Sequence, residues 1–315
     1  MAGARGVLML SVVVCTYNPR REYLERCLDA ILGQSVGSDH YELILIDNRS
    51  AEPLADRDWI RQRGVRVVRE EIPGLTAARE RAAEVARGEV IIFVDDDNVI
   101  ERGYLAAAED LFRNERIGVL SGQVEPEYER RPGAWFAPFE ETLAVRRFPA
   151  DLFHLTSDPE FTRYFPIGAG VCIRQSLLRE YFQGLSSAGR IEGRTGAVLS
   201  AGEDIDIDLF AVSRGYLVGA CSRLRLTHLI PASRINVGYV TRLCVGSLRS
   251  AAQVNMKWRA VFGRNVLPYF GQGALAVLLK ALLYTCLSPL KRYRVLARFH
   301  WELFRLLPFP GGLGR

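Results

Sequence analysis

Val90-Ile91-Ile92-Phe93-Val94-Asp95-Asp96-Asp97-Asn98 sets five apolar residues directly before three carboxylates and an amide. The apolar run, preceded by Gly88 and closed by a polar cluster, predicts a short strand buried on both faces. Three adjacent carboxylates at its carboxyl end repel one another unless a cation joins them. Mg²⁺ or Mn²⁺, which take hard oxygen ligands and are commonly shared with phosphates, is the expected ion. A solvated turn, with Asp97 or Asn98 capping a helix, is the competing reading of the same triplet.

Upstream, the run Val7 to Cys15 passes straight into Thr16-Tyr17-Asn18-Pro19 with no small-residue cleavage site. It is therefore expected to be a first buried strand of a cytoplasmically made chain, not a signal peptide. Tyr23 to Leu32 has helical spacing. Leu43 to Ile46 predicts a second strand ending in Asp47-Asn48, and Val65 to Val68 a third. Thr76 to Arg87 is an Ala-rich helix stopped by Gly88. This alternation predicts an α/β fold, a mostly parallel central sheet flanked by helices, with ligands bound beyond the carboxyl ends of the strands.

Downstream, residues 126 to 165 carry Pro126, Pro132, Pro138, Pro149 and Pro159 and many aromatics. They predict an irregular excursion over one face of the site, in which Trp135, Phe136 and Phe139 serve either as stacking faces for a ligand or as loop packing. Ile167 to Ile173 is strand-like and interrupted by Gly168-Ala169-Gly170. Gly202-Glu203-Asp204 opens a helix reaching about Ser213, where Asp206 and Asp208 read as solvated first-turn acids. A strand from Leu224 to His228 closes the body.

Composition and absent motifs narrow the function. A 315-residue chain with 49% hydrophobic and 24% charged residues is folded, and no Gly-X-Y or heptad pattern suggests a fibre. Six scattered cysteines without a CxxC pair read as reduced core residues. No GxGxxG, GxxxxGK[ST] or GxSxG is present, so dinucleotide, P-loop and serine-hydrolase readings find no support. Phosphate charge must then be met by metal, arginine and helix N-termini. Arg79 is a candidate, with a solvated helix face as the alternative.

The strand ends Cys15-Thr16-Tyr17-Asn18 and Asp47-Asn48, the stretch Pro73-Gly74 to Arg79, Asp95-Asp96-Asp97, Gly168-Ala169-Gly170 and Gly202-Glu203-Asp204 follow one another in an order that resembles the family 2 glycosyltransferases. The resemblance covers roughly residues 9 to 230. It implies an inverting enzyme with the GT-A nucleotide-sugar-binding fold, moving one sugar from a nucleotide-diphosphate donor to a hydroxyl of a glycan or lipid-linked acceptor. By the same resemblance Thr16, Tyr17, Asn18, Asp47, Arg79, Asp95 and Asp96 would bind the donor, and Asp97 would hold the metal. His228 would complete the metal site or remain structural, Asp204 would be the catalytic base, and Glu203 would orient Asp204 or the acceptor. Two departures stand out: no QxxRW segment follows the base, which favours transfer of one sugar per encounter, and Glu80 stands where many relatives have Asn. The alternatives are a sugar-1-phosphate nucleotidyltransferase, which lacks its Gly-rich, Arg-containing loop here, and a catalytically inactive nucleotide-sugar-binding protein.

Charge divides the chain. Residues 1 to 233 hold 28 Lys and Arg against 35 Asp and Glu, a charge of −7, whereas residues 234 to 315 hold 13 against Glu302 alone, a charge of +12. The expected organisation is a catalytic domain over 1–233 and a basic, apolar, helical region over 234–315 that associates with an anionic membrane surface. Residues 273 to 290 are apolar, but Lys280 at their centre disfavours a span. Beyond Pro289, Lys291, Arg294, Arg298, Glu302 and Arg305 share one helical face, opposite Leu296, Phe299, Leu303, Phe304, Leu306 and Leu307. That pattern predicts either a helix lying in the membrane interface or one packed on the catalytic body. The expected location is the cytoplasmic face of the cell membrane, peripheral or monotopic. Nucleic acid is not an expected partner, since no binding module is recognisable.

Overall fold

The computed structural model describes residues 8–184, 189–191, 193–194 and 202–307. Strands β1 (Leu10–Thr16), β2 (Tyr41–Asp47), β3 (Arg66–Arg69) and β4 (Val90–Phe93) form its parallel half in the order β3-β2-β1-β4, with Val12 level with Leu43 and Ile92. Their continuous apolar runs are needed because both faces are covered. Val12, Val14, Val90 and Ile92 pack against Leu24, Leu28 and Ile31 of helix α1 (Arg21–Leu32), while Val13, Ile91 and Phe93 face the opposite layer. That layer is supplied by helices further along the chain. A single turn, α2 (Asp58–Arg61), precedes β3, and α3 (Leu75–Val85) follows it, placing Ala78, Ala82 and Ala83 on the sheet.

Past β4 the sheet becomes mixed. After β5 (Asn98–Ile100) and helix α4 (Tyr104–Phe112) come β6 (Ile117–Tyr128), β7 (Phe153–Thr156) and β8 (Val171–Arg174), then helices α5 (Gln175–Gly184) and α6 (Glu203–Ser213) and strand β9 (Leu217–Ile230). β8 runs antiparallel to both β4 and β6, and β6 pairs in parallel with β9, which also carries β5 and β7 in antiparallel pairing. β6 was not expected from the sequence, and β9 is far longer than the stretch Leu224–His228. At Gly122 the β6/β9 register shifts, and a Cβ there would lie 1.7 Å from the Leu224 carbonyl oxygen, so only glycine admits the close approach. On its other edge β9 pairs with β5, which sets His228 opposite Asn98, beside the acidic triplet.

The excursion after β6 is a packed wall. Phe136 and Phe139 lie in a core with Ile230, Val240 and Leu243, and Trp135 meets Phe136 edge-on at 5.5 Å. The loop-packing alternative therefore describes Phe136 and Phe139, which are closed to any sugar. All six cysteines are free thiols, with Cys286 exposed. Helix α7 (Val237–Phe262) sends Ala251, Val254 and Trp258 into the core that holds Ile91 and Phe93. Helices α8 (Ala274–Cys286) and α9 (Lys291–Leu306) follow. Of the two alternatives for α9, packing against protein describes Val295, buried with Phe136 and α7, and Leu303, buried with Leu248 of α7 and Val277 of α8. No helix among the described residues is long and apolar enough to cross a membrane.

Asp206 and Asp208 are not solvated: both are buried, because α6 is enclosed between the sheet and α7. Asp206 is a junction. Its carboxylate accepts hydrogen bonds from Tyr181 Oη at 2.7 Å, Trp258 Nε1 at 2.7 Å, Lys257 Nζ at 2.8 Å and the Ile191 amide at 3.2 Å, tying α5, α6 and α7 together. Among the described residues Asp208 Oδ2 has no hydrogen-bond partner, and burial, reinforced by the charge of Asp204, pushes its carboxyl well above the usual carboxylate range.

Asp206→Ala should therefore lower unfolding free energy by about 3–5 kcal/mol, because it leaves the buried Tyr181 hydroxyl and Trp258 Nε1 without their acceptor and removes the charge that pairs Lys257, and Asp206→Asn by clearly less; urea titration of the three proteins checks this. Asp208 gives the opposite sign. It ionises near the ordinary carboxylate pKa when unfolded but keeps its proton to higher pH when folded, so its contribution falls as pH rises between those two values. Melting curves of wild type and Asp208→Asn at pH 4.5 and pH 7.5 should show the variant gaining relative stability at the higher pH; parallel profiles would mean that Asp208 is ionised in the folded protein.

Candidate active site

Asp95, Asp96 and Asp97 leave the end of β4 in three directions. Asp96 accepts a short hydrogen bond from Thr16 Oγ1 at the end of β1. Asp97 turns toward β9, where its Oδ2 lies 3.5 Å from His228 Nε2 and 2.9 Å from an Arg234 guanidinium nitrogen, while Asn98 Nδ2 donates to its Oδ1 at 3.0 Å. Burial acts to raise the carboxyl pKa of Asp97, but His228 and Arg234 outweigh it and hold the group well below the usual range. Its neighbours go the other way. Burial and then the charge of Asp97 raise Asp95 and push Asp96 up to about 7. The triplet thus holds one firmly ionised carboxylate and two that resist ionisation.

The ends of β1 and β2 form a second cluster. Asn18 sits at φ 48° and Arg49 at φ 64°, and the two turns are sewn together by Asn18 N–H to Ser50 Oγ at 3.0 Å and Ala51 N–H to Asn18 Oδ1 at 2.9 Å. Asp47 is buried and fully engaged: Oδ1 accepts from the Ser50 amide, and Oδ2 from the Leu54 amide and Arg69. Burial opposes its ionisation, yet these donors hold its pKa below the ordinary value. Its carboxylate therefore shapes the loop. Asn48 bridges the Ile72 carbonyl and the Gly74 amide, fixing the entry to α3. Tyr17 stands 59% exposed at the rim, free to cover a flat ligand.

The third group lies under the start of α6. Arg79, 2% exposed, packs its guanidinium over Phe93 at 5.1 Å and donates to Glu203 Oε1 at 3.1 Å and Asp204 Oδ1 at 2.6 Å. Burial works against its charge, and the two carboxylates more than restore it, so it stays a cation. It is thus a buried structural charge and neither a solvated helix face nor an exposed donor contact. Glu203 is buried on Arg79, whereas the Asp204 side chain is 31% exposed and its Oδ2 accepts the Gly168 amide hydrogen at 2.9 Å. Glu80, the departure noted above, pairs with Arg190 at 2.7 Å.

Arg234 was missed in the sequence. It lies six residues beyond His228, and only the turn through Pro231 folds it back so that its guanidinium donates to Asp97 and lies 3.2 Å from His228 Nε2. The His228 ring is fixed from behind, since Nδ1 donates to the Leu143 carbonyl at 2.9 Å and Nε2 therefore faces Asp97. A carboxylate and a ring nitrogen aimed at the same point, already occupied by a side-chain cation, fit a divalent ion as two of its ligands. No group of three or more His, Cys, Asp or Glu side chains gathers as a complete metal site among the described residues.

Comparison with known proteins bears on this arrangement. Residues 11–182 match the model of glycosyl transferase family 2. The poly(ribitol-phosphate) beta-glucosyltransferase of Bacillus spizizenii is 30% identical over 98 residues, 30% of this chain and only 15% of that protein's length. Staphylococcus aureus TarS 1-349 in complex with UDP-GlcNAc superposes with a TM-score of 0.52 at 16% identity, covering 95% of this chain and 90% of that one. GalNAc-T7 with UDP, GalNAc and Mn²⁺ gives 0.51 at 19% identity, covering 76% and 48%. At those identities the two structures speak for the fold alone, which is the GT-A fold expected from the sequence. With its family model matched over more than half its length, the chain belongs to glycosyl transferase family 2.

Proposed function

We propose that the protein moves one sugar, with inversion, from a nucleoside-diphosphate donor to a hydroxyl of a glycan or lipid-linked acceptor, with Mg²⁺ or Mn²⁺ at the diphosphate. The observation that carries this reading is the separation of two acidic groups at one sheet edge. Asp204, partly exposed and held by Arg79 and Gly168, stands apart from Asp97, which is paired with His228 and Arg234. Inverting displacement needs that division, a base on one side of the anomeric carbon and charge stabilisation on the other.

In this scheme the diphosphate lies toward the triplet and the acceptor toward Asp204. Asp204 takes the proton of the acceptor hydroxyl, the oxygen bonds to the anomeric carbon, and the carbon–oxygen bond to the β-phosphate breaks with its electron pair passing to the diphosphate. Arg79 and Gly168 hold the carboxylate at a fixed angle, so no reorientation is needed as the proton arrives. Asp97 and His228 Nε2 would hold the divalent ion, which would offset the charge developing on the leaving group. Arg234 meets that charge directly once it leaves Asp97. Thr16, Tyr17 and Asn18 border the space left for the base, with Asp95 and Asp96 facing the ribose and diphosphate. The UDP-containing neighbours support this donor class, and the poly(ribitol-phosphate) beta-glucosyltransferase supports transfer to a hydroxyl-bearing polymer.

Asp204→Asn keeps the shape and removes the proton acceptor. Turnover should fall by at least about 10² with donor affinity within a few fold of wild type, measured by steady-state kinetics alongside calorimetric titration of nucleoside diphosphate; turnover near wild type would exclude Asp204 as the base.

Metal dependence is tested separately at the other group. Mn²⁺ should strengthen nucleoside diphosphate binding to wild type, and Asp97→Ala should abolish that enhancement. Arg234→Gln should let nucleotide-free protein bind Mn²⁺ several-fold more tightly by removing the competing cation, as read by electron paramagnetic resonance of free Mn²⁺. Equal Mn²⁺ enhancement in wild type and Asp97→Ala would remove Asp97 from the metal site.

A further inference from the structure

The exposed apolar side chains of α8 form a strip. Leu275, Leu279, Leu282 and Leu283 are 70%, 58%, 46% and 55% exposed, and their spacing puts them on one helical face, opposite the buried Val277 and Ala281. Leu287 and Leu290 carry the strip past the helix end to Lys291. An apolar strip of this size on a folded protein marks a contact surface.

What covers it is indicated by its basic end. Lys291, Arg130, Arg131 and Trp135 line a cavity of about 430 Å³. Among the described residues none of the three cations has a carboxylate partner, whereas arginines such as Arg26, Arg147 and Arg249 do. Arg292, Arg294 and Arg298 are exposed nearby on α9, and the single acid of this region, Glu302, is already held by Arg249 at 2.7 Å. A purely apolar partner would match the leucines and leave these charges unmet. A phosphate-bearing lipid meets both.

We propose that α8 seats this protein on an anionic bilayer, its leucines among the acyl chains and the Arg130/Arg131/Lys291 cavity around a lipid headgroup phosphate. At 13 residues α8 is about 20 Å long, too short to span and suited to lying flat. The proposal goes beyond the reaction and stands independently of it, because vesicle binding needs neither donor nor catalysis.

Flotation of the full chain with phosphatidylglycerol/phosphatidylcholine vesicles, against phosphatidylcholine alone, tests it. Wild type should float with the anionic vesicles, lose binding as salt rises, and prefer them by about fivefold for each basic residue at the surface. Leu279→Asp/Leu283→Asp should remain in the dense fraction with an unchanged melting temperature, since both side chains are exposed. Arg131→Gln/Lys291→Gln should lose the anionic preference, and inorganic phosphate should lower wild-type binding if the cavity takes the headgroup. Should a variant fold poorly, an environment-sensitive fluorophore on the exposed Cys286 of the otherwise wild-type chain gives a second reading, with a blue shift expected on anionic vesicles. The proposal fails if wild type stays in the dense fraction with no blue shift. It also fails if the leucine variant floats like wild type, or if that variant splits a wild-type dimer that binds no vesicles, which would make the strip a self-association surface.

Discussion

The site depends on one buried guanidinium. Arg79 lies between the sheet and the start of α6, with Phe93 on one side and the carboxylates of Glu203 and Asp204 on the other. A charge taken this far from water is stable only while its partners stay close. The ion pairs therefore pin the first turn of α6 to α3. Because Asp204 belongs to that turn, the position of its carboxylate is fixed by a requirement of folding. Site geometry and burial of charge are one constraint here.

The parallel half of the sheet was legible because its strands are covered on both faces, and a double-sided burial requirement leaves continuous apolar runs. The antiparallel half was not. β6 carries Gly118 and Gly122 at its two register shifts, where close approach admits no side chain, and its Pro126 falls in the stretch expected to be irregular. The strand-end residues were legible as a set, since polar side chains after buried strands have nowhere to go except the sheet edge. Their individual employment was not. Nothing in the sequence says that Asp47 spends its carboxylate on Ser50, Leu54 and Arg69, or that Asp206 meets Tyr181 and Trp258 from 25 and 52 residues away. Arg234 was hidden for the same reason, as only the turn after β9 returns it to Asp97.

The two C-terminal helices show how far periodicity reaches. α9 has the stronger amphipathic pattern, with charges on one side and leucines and phenylalanines on the other, and its apolar side is covered by α7 and the wall around Phe136. α8 is apolar nearly all round, and that composition conceals a face with no protein over it. Sequence spacing reveals that a helix has an apolar side. Whether protein or something else covers that side is a property of the rest of the fold.

Gly168 carries a consequence for how this site can change. The contact that orients Asp204 comes from a peptide N–H, which no replacement other than proline can delete. What the position cannot tolerate is addition: a Cβ there would lie 2.8 Å from Asp204 Oδ2 and 2.9 Å from an Arg79 guanidinium nitrogen. Random change elsewhere in the site removes atoms and weakens contacts by degrees. At residue 168 every available change adds at least one carbon, and it lands on the carboxylate and its counter-ion together. The site is thus protected from loss at this point and exposed to gain, so variation in the family should be sought in the side chains around residue 168 and not at the glycine itself.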